Sequence, residues 1–99
     1  MRLTPDQALA IRDCVSRLAG DDARVWLFGS RVRDAERGGD VDLLLEVDTP
    51  VEEPALLAAR IAAQVSRGMY GRKVDVVIKA PNLLQLPIHK IALAEGVRL

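Results

Sequence analysis

The chain has 99 residues, enough for one domain and too few for two. Hydrophobic residues make up 49% and charged residues 28%, which excludes a disordered segment, and no apolar run approaches the roughly 20 residues that span a bilayer. Lys plus Arg balances Asp plus Glu at 14 each, so the chain lacks the basic excess that captures nucleic acid. Aromatics are 3%: Trp26, Phe28 and Tyr70 are the whole set, and the core must come from Leu, Val, Ile and Ala. One cysteine, Cys14, leaves no internal disulfide and suits a reducing compartment. With no signal-peptide pattern in MRLTPDQ, a cytoplasmic location is the expectation.

In chain order, the first element reads as a helix. Thr4, Pro5 and Gln7 supply an N-cap, a first-turn proline and a capping-box partner, and Ala8, Ile11, Val15 and Leu18 recur at helical spacing until Gly20. Arg24–Phe28, RVWLF, is short, β-branched and aromatic, and reads as a strand that ends in Gly29-Ser30. The polar stretch 31–39 has room for a short helix before a Gly38-Gly39 turn. Asp40–Val47, DVDLLLEV, reads as a second strand. Pro50 and Pro54 precede a second helix with the stripe Leu57, Ile61 and Val65, which stops near Gly68 or Gly71. Lys73–Lys79 alternates as a third strand, with Val74, Val76 and Ile78 on one face and Lys73, Asp75 and Val77 on the other. A last helix runs from Pro87 to Glu95-Gly96. Strands interleaved with helices imply an α/β (α+β) domain spanning residues 1–99, with a small mixed β-sheet and helices packed on one face.

Three features carry chemistry together: Gly29-Ser30, the pair Asp40 and Asp42, and Asp75. Asp40 and Asp42 are two apart on a strand and share a face. If the third strand lies alongside, about 4.8 Å away, Asp75 joins them. Each pair of carboxylates about 4 Å apart repels by roughly 4 kcal/mol at an effective dielectric near 20, so the cluster needs a strong counter-charge or some of its members must take up protons. Magnesium fits, since it takes oxygen ligands from one or two carboxylates plus substrate phosphates. Gly29 lets backbone approach a ligand, and amides at a helix start capped by Ser30 bind anions, with Arg31 and Arg33 close in sequence. Each motif alone has an ordinary explanation: a strand-end acid, a turn, a surface Asp beside Lys73. In combination they match phosphoryl and nucleotidyl transfer. Against strand propensity, the acids also interrupt otherwise apolar strands.

The segment FGSRVRDAERGGDVDLLLEV resembles the signature of the DNA polymerase β-like nucleotidyltransferase superfamily: Gly-Ser, a spacer, then Asp-x-Asp and apolar residues. The short length, the third acid in KVDVVI and the ending IHKIALAEGVRL are similar to its minimal nucleotidyltransferase branch. The spacer between Ser30 and Asp40, residues 31–39, is one residue shorter than the commonest form, which bears on the placement of Arg31 and Arg33 more than on that of the acids. The resemblance implies a polymerase β-like fold and an antitoxin that transfers AMP from ATP to a tyrosine of a HEPN-type toxin partner. It further implies that Gly29, Ser30 and Arg31 hold the triphosphate, that Asp40, Asp42 and Asp75 bind two Mg2+ ions, and that Asp75 helps activate the attacking hydroxyl. With 99 residues leaving no room for a second, acceptor-holding domain, the acceptor is expected on a separate molecule or a partner subunit, in a hetero-oligomer or a homodimer. The competing expectations are a non-catalytic antitoxin that neutralises its partner by contact, with a vestigial nucleotide site, and an aminoglycoside-type transferase.

Four other residues have plain explanations. Cys14 flanks the apolar stripe of the first helix and reads as packing. His89 reads as a surface or helix-start residue, with an acid or base near the site as the alternative. Tyr70 reads as a loop residue in GMYGR, with base stacking or its own modification as the alternatives, and Lys73 either meets phosphate or offsets the acids.

Overall fold

A computed structural model describes residues 3–28 and 41–99. The described residues form, in order, α1 (Pro5–Ala19), β1 (Arg24–Phe28), β2 (Val41–Glu46), α2 (Pro54–Gly68), β3 (Val74–Lys79), α3 (Pro87–Glu95) and β4 (Val97–Arg98). The expected helix within 31–39 lies outside the described residues, as do Gly29, Ser30, Arg31, Arg33 and Asp40.

α1 starts as its sequence dictates. The Gln7 amide donates to Thr4 Oγ1 at 3.1 Å, and the Thr4 amide donates to Gln7 Oε1 at 2.9 Å, closing a capping box ahead of Pro5. Such a cap contributes about 1 kcal/mol. The helix stops at Gly20, whose φ of +101° suits a residue without a Cβ. α1 buries Ile11, Cys14 and Val15, so the thiol is a packing group, and burial pushes its pKa up.

The sheet runs β3-β2-β1-β4. β1 pairs antiparallel with β2 on one side and β4 on the other, while β2 and β3 are parallel, joined by α2 as the crossover. β2 is central, and Val41, Leu43, Leu44 and Leu45 are fully buried. The apolar run Leu43-Leu44-Leu45 is what a strand covered on both faces requires.

The α+β class and the small mixed sheet match expectation, but the helices do not all share one face. α1 and α2 cover the face that carries Val25, Leu27, Leu43, Leu45 and Ile78. α3 covers the opposite face, where Ala92 and Leu93 meet Trp26, Phe28, Leu44 and Val77. The physical reason lies in the strands: Leu44 between Leu43 and Leu45, and Trp26 between Val25 and Leu27, give both faces apolar surface that water must leave. β4 was not expected. It forms because α3 ends at Gly96, after which Val97 and Arg98 pair with Leu27 and Trp26 and the Leu99 amide donates to Val25 O at 3.0 Å. Gly96 is needed for close approach: a Cβ there would collide with the Ala92 carbonyl oxygen and sit 3.0 Å from Leu27 O. Among the described residues, no helix is long and apolar enough to cross a membrane.

Candidate active site

Register builds the site. Phe28, the last residue of β1, lies opposite Asp42 on β2, and Asp42 lies opposite Asp75 on β3. Residues in one cross-strand row share a face, and neighbouring strands are about 4.8 Å apart. Asp42 and Asp75 therefore stand side by side on the α3 face, Asp42 half-buried and Asp75 exposed. Phe28 is directly followed in sequence by Gly29-Ser30, which lie outside the described residues. One position before β2 comes Asp40; the Val41 amide donates to Lys73 O at 2.9 Å, which holds the starts of β2 and β3 level.

The same face carries a second charged row four residues along, and it is built differently. Arg24, Glu46 and Lys79 lie opposite one another across β1, β2 and β3. Glu46 Oε1 accepts from Arg24 Nε at 2.8 Å and its Oε2 from Lys79 Nζ at 3.1 Å, while Arg24 also reaches Asp48 at 2.8 Å. These bonds hold the Glu46 and Asp48 carboxyls below their ordinary range and raise the Arg24 pKa. Between the two charged rows, Trp26, Leu44 and Val77 form an apolar row under α3. One end of the face thus places an acid between two bases, and the other places two acids next to each other with a phenylalanine. Opposite charges across strands stabilise a sheet and like charges oppose it. Within the Asp42–Asp75 pair the like charges oppose sheet pairing, whereas Glu46 is offset by bases on both sides.

The donor set suits a hard divalent ion. Both groups offer carboxylate oxygens on adjacent strands, and Asp75 is open to solvent. Among the described residues, no three His, Cys, Asp or Glu side chains converge. The third expected acid, Asp40, lies outside the described residues.

His89, one of the expected bystanders, is placed away from this row. His89 is not a surface residue: it is 2% exposed, and its Nδ1 accepts from the Leu86 amide at 3.1 Å at the start of α3. It lines a cavity of about 290 Å³ with Lys79, Glu46 and Asp48, at the opposite end of the face. Burial, with a smaller contribution from Lys79, lowers its pKa. A second cavity of about 260 Å³ lies between α1 and the start of β1 and is also remote from Asp42 and Asp75. The carboxylate row is defined by register on a sheet face, and neither hollow is the better candidate. Phe28 is the row member that the sequence did not point to; its position directly before Gly29 was the available signal.

A mixed sheet with paired acids at the ends of β2 and β3, beside a strand that runs into Gly-Ser, is the arrangement of a phosphoryl- or nucleotidyl-transferring domain. The chain belongs to the nucleotidyltransferase domain family, whose model matches residues 10–98 and so spans every candidate site residue from Gly29 to Asp75. Nucleotidyl transfer is the class of reaction that this membership supports. None of the curated proteins matches the chain.

Proposed function

We propose that the chain transfers AMP from ATP to a tyrosine hydroxyl on a HEPN-type toxin and thereby acts as its antitoxin. The observation that carries the catalytic part is the in-register pair Asp42–Asp75, two acids on neighbouring strands at the end of the sheet where Gly29-Ser30 begins. In this reading Asp40, Asp42 and Asp75 would hold two Mg2+ ions, which neutralise charge on the phosphates. Gly29 and Ser30, with Arg31, bind and orient the triphosphate. Asp75, the more exposed acid, accepts the proton of the acceptor hydroxyl. The hydroxyl oxygen then bonds to the α-phosphorus, the α–β anhydride bond breaks, and pyrophosphate leaves with its electron pair.

The test combines the protein, Mg2+, α-labelled ATP and the HEPN partner. The expected result is label on a partner tyrosine, abolished by chelation and by Asp42→Asn. A stable complex of the two proteins without label would overturn the catalytic reading.

One observation favours neutralisation by contact instead. The outer side of α3 and the segment before it expose Leu84, Leu86, Ile88 and Ile91, an apolar surface of the kind partners cover. Partner neutralisation that survives Asp42→Asn and Asp75→Asn would make contact the mechanism.

A further inference from the structure

The turn between α2 and β3 is tightly made and yet presents an aromatic ring to water. Met69 is buried in the core, and its amide donates to Ser66 O at 3.0 Å. The Gly71 amide donates to the same oxygen at 2.9 Å, and Ser66 Oγ donates to Arg72 O at 2.7 Å. These bonds carry the backbone through two consecutive left-handed residues, Tyr70 at φ +60° and Gly71 at φ +78°. Glycine takes that conformation freely and asparagine readily, whereas a bulky side chain is disfavoured there. Tyr70 is nonetheless 96% exposed, so its ring contributes nothing to the core. Neither the turn nor the packing accounts for a tyrosine at this position.

Its location does. The turn feeds β3, and Tyr70 lies five residues before Asp75, at most about 18 Å of extended chain. It stands at the end of the sheet where Asp42 pairs with Asp75, not at the Arg24–Glu46–Lys79 end. We propose that Tyr70 is the nucleobase-stacking residue of the site, an aromatic platform for the base of a nucleoside triphosphate. The inference rests on the proposed nucleotide site. Stacking of a base on an aromatic ring is tolerant of base identity, so Tyr70 provides affinity for a nucleotide over bare polyphosphate.

The experiment compares equilibrium binding of ATP and of inorganic tripolyphosphate, both with Mg2+, to the wild-type chain and to Tyr70→Ala, Tyr70→Asn, Tyr70→Phe and Asp42→Asn. Tyr70→Ala and Tyr70→Asn should weaken ATP roughly 5- to 150-fold, equivalent to about 1–3 kcal/mol, and leave tripolyphosphate unchanged. Tyr70→Phe should bind ATP like wild type. Asparagine suits the left-handed backbone, so Tyr70→Asn keeps the comparison clear of folding defects. Wild-type ATP affinity in Tyr70→Asn, or equal weakening of ATP and tripolyphosphate, overturns the inference. Tripolyphosphate binding that depends on Asp42 upholds the nucleotide site whatever Tyr70 does. Failure of the wild type to bind either ligand overturns both.

Discussion

Asp42 and Asp75 are directly opposed on two parallel strands, and four residues further along the same strands Glu46 opposes Lys79. One pair repels and the other attracts, within the same ladder and on the same face. The contrast sets a row that supports the fold against the row to which the proposed chemistry is assigned.

Replacing either acid of the Asp42–Asp75 pair by its amide should lower activity, and at Asp75 it should do so without a loss of stability. Asp42→Asn and Asp75→Asn should each lower the transfer rate by 10²-fold or more, in the range seen when one charge-stabilising group is removed from a site. In the absence of metal, Asp75→Asn should leave the melting temperature unchanged or raise it, because a like-charge cross-strand pair is worth up to about 1 kcal/mol against the sheet. Thermal melts with and without Mg2+, beside rate measurements, check both halves.

Glu46→Gln should do the reverse. It removes ion pairs to two partly buried bases, Arg24 and Lys79, and should cost about 1–2 kcal/mol while sparing catalysis. The folded Glu46 carboxyl lies below its ordinary value of 4.5, so its stabilisation is fully present above that value and disappears as pH falls through it toward the folded pKa. Denaturant titrations at pH 7 and at about pH 3.5 should show the gap between wild type and variant closing at the lower pH.

His89 gives a second pH dependence at a higher window. Its folded pKa is depressed below 6.5, so the unfolded chain takes up the proton first. Stability should be level above about pH 7 and decline as pH falls through 6.5 toward the folded value. His89→Asn should flatten that decline in denaturant midpoints measured between pH 5 and 8, whatever its effect on absolute stability.

Gly96→Ala should be costly although Gly96 has an ordinary negative φ. The added methyl meets the backbone oxygens of Ala92 and Leu27, neither of which can rotate away. Overpacking of this kind costs about 1–3 kcal/mol. Hydrogen exchange at the Leu99 amide, which bonds to Val25, should report the loosening of β4 first.

Local signals made much of this fold legible from the sequence. β1 was bounded at Arg24 and Phe28 by composition, the Thr4–Gln7 box located the start of α1, and alternation in KVDVVIK sorted the faces of β3 as they are found. The parts that escaped depend on distant partners. Strand order and register rest on backbone bonds between β2 and β3, which α2 separates in sequence. The second covered face was present in the triple Leu43-Leu44-Leu45, but a run of three leucines does not say what covers it. β4 is two residues long and exists only because β1 offers an edge. At the site, Asp42 and Asp75 meet as their strand positions implied, whereas Gly29, Ser30, Arg31 and Asp40 lie outside the described residues.

The Glu46–Lys79 bond has a use beyond its own energy. Sliding β3 by a single residue would turn Asp75 to the α1–α2 side of the sheet and in the same movement pull Lys79 away from Glu46. The salt bridge thus acts as an alignment key: it penalises every misthreaded pairing at one end, so that the two acids arrive abreast at the other, where their own repulsion would never have brought them.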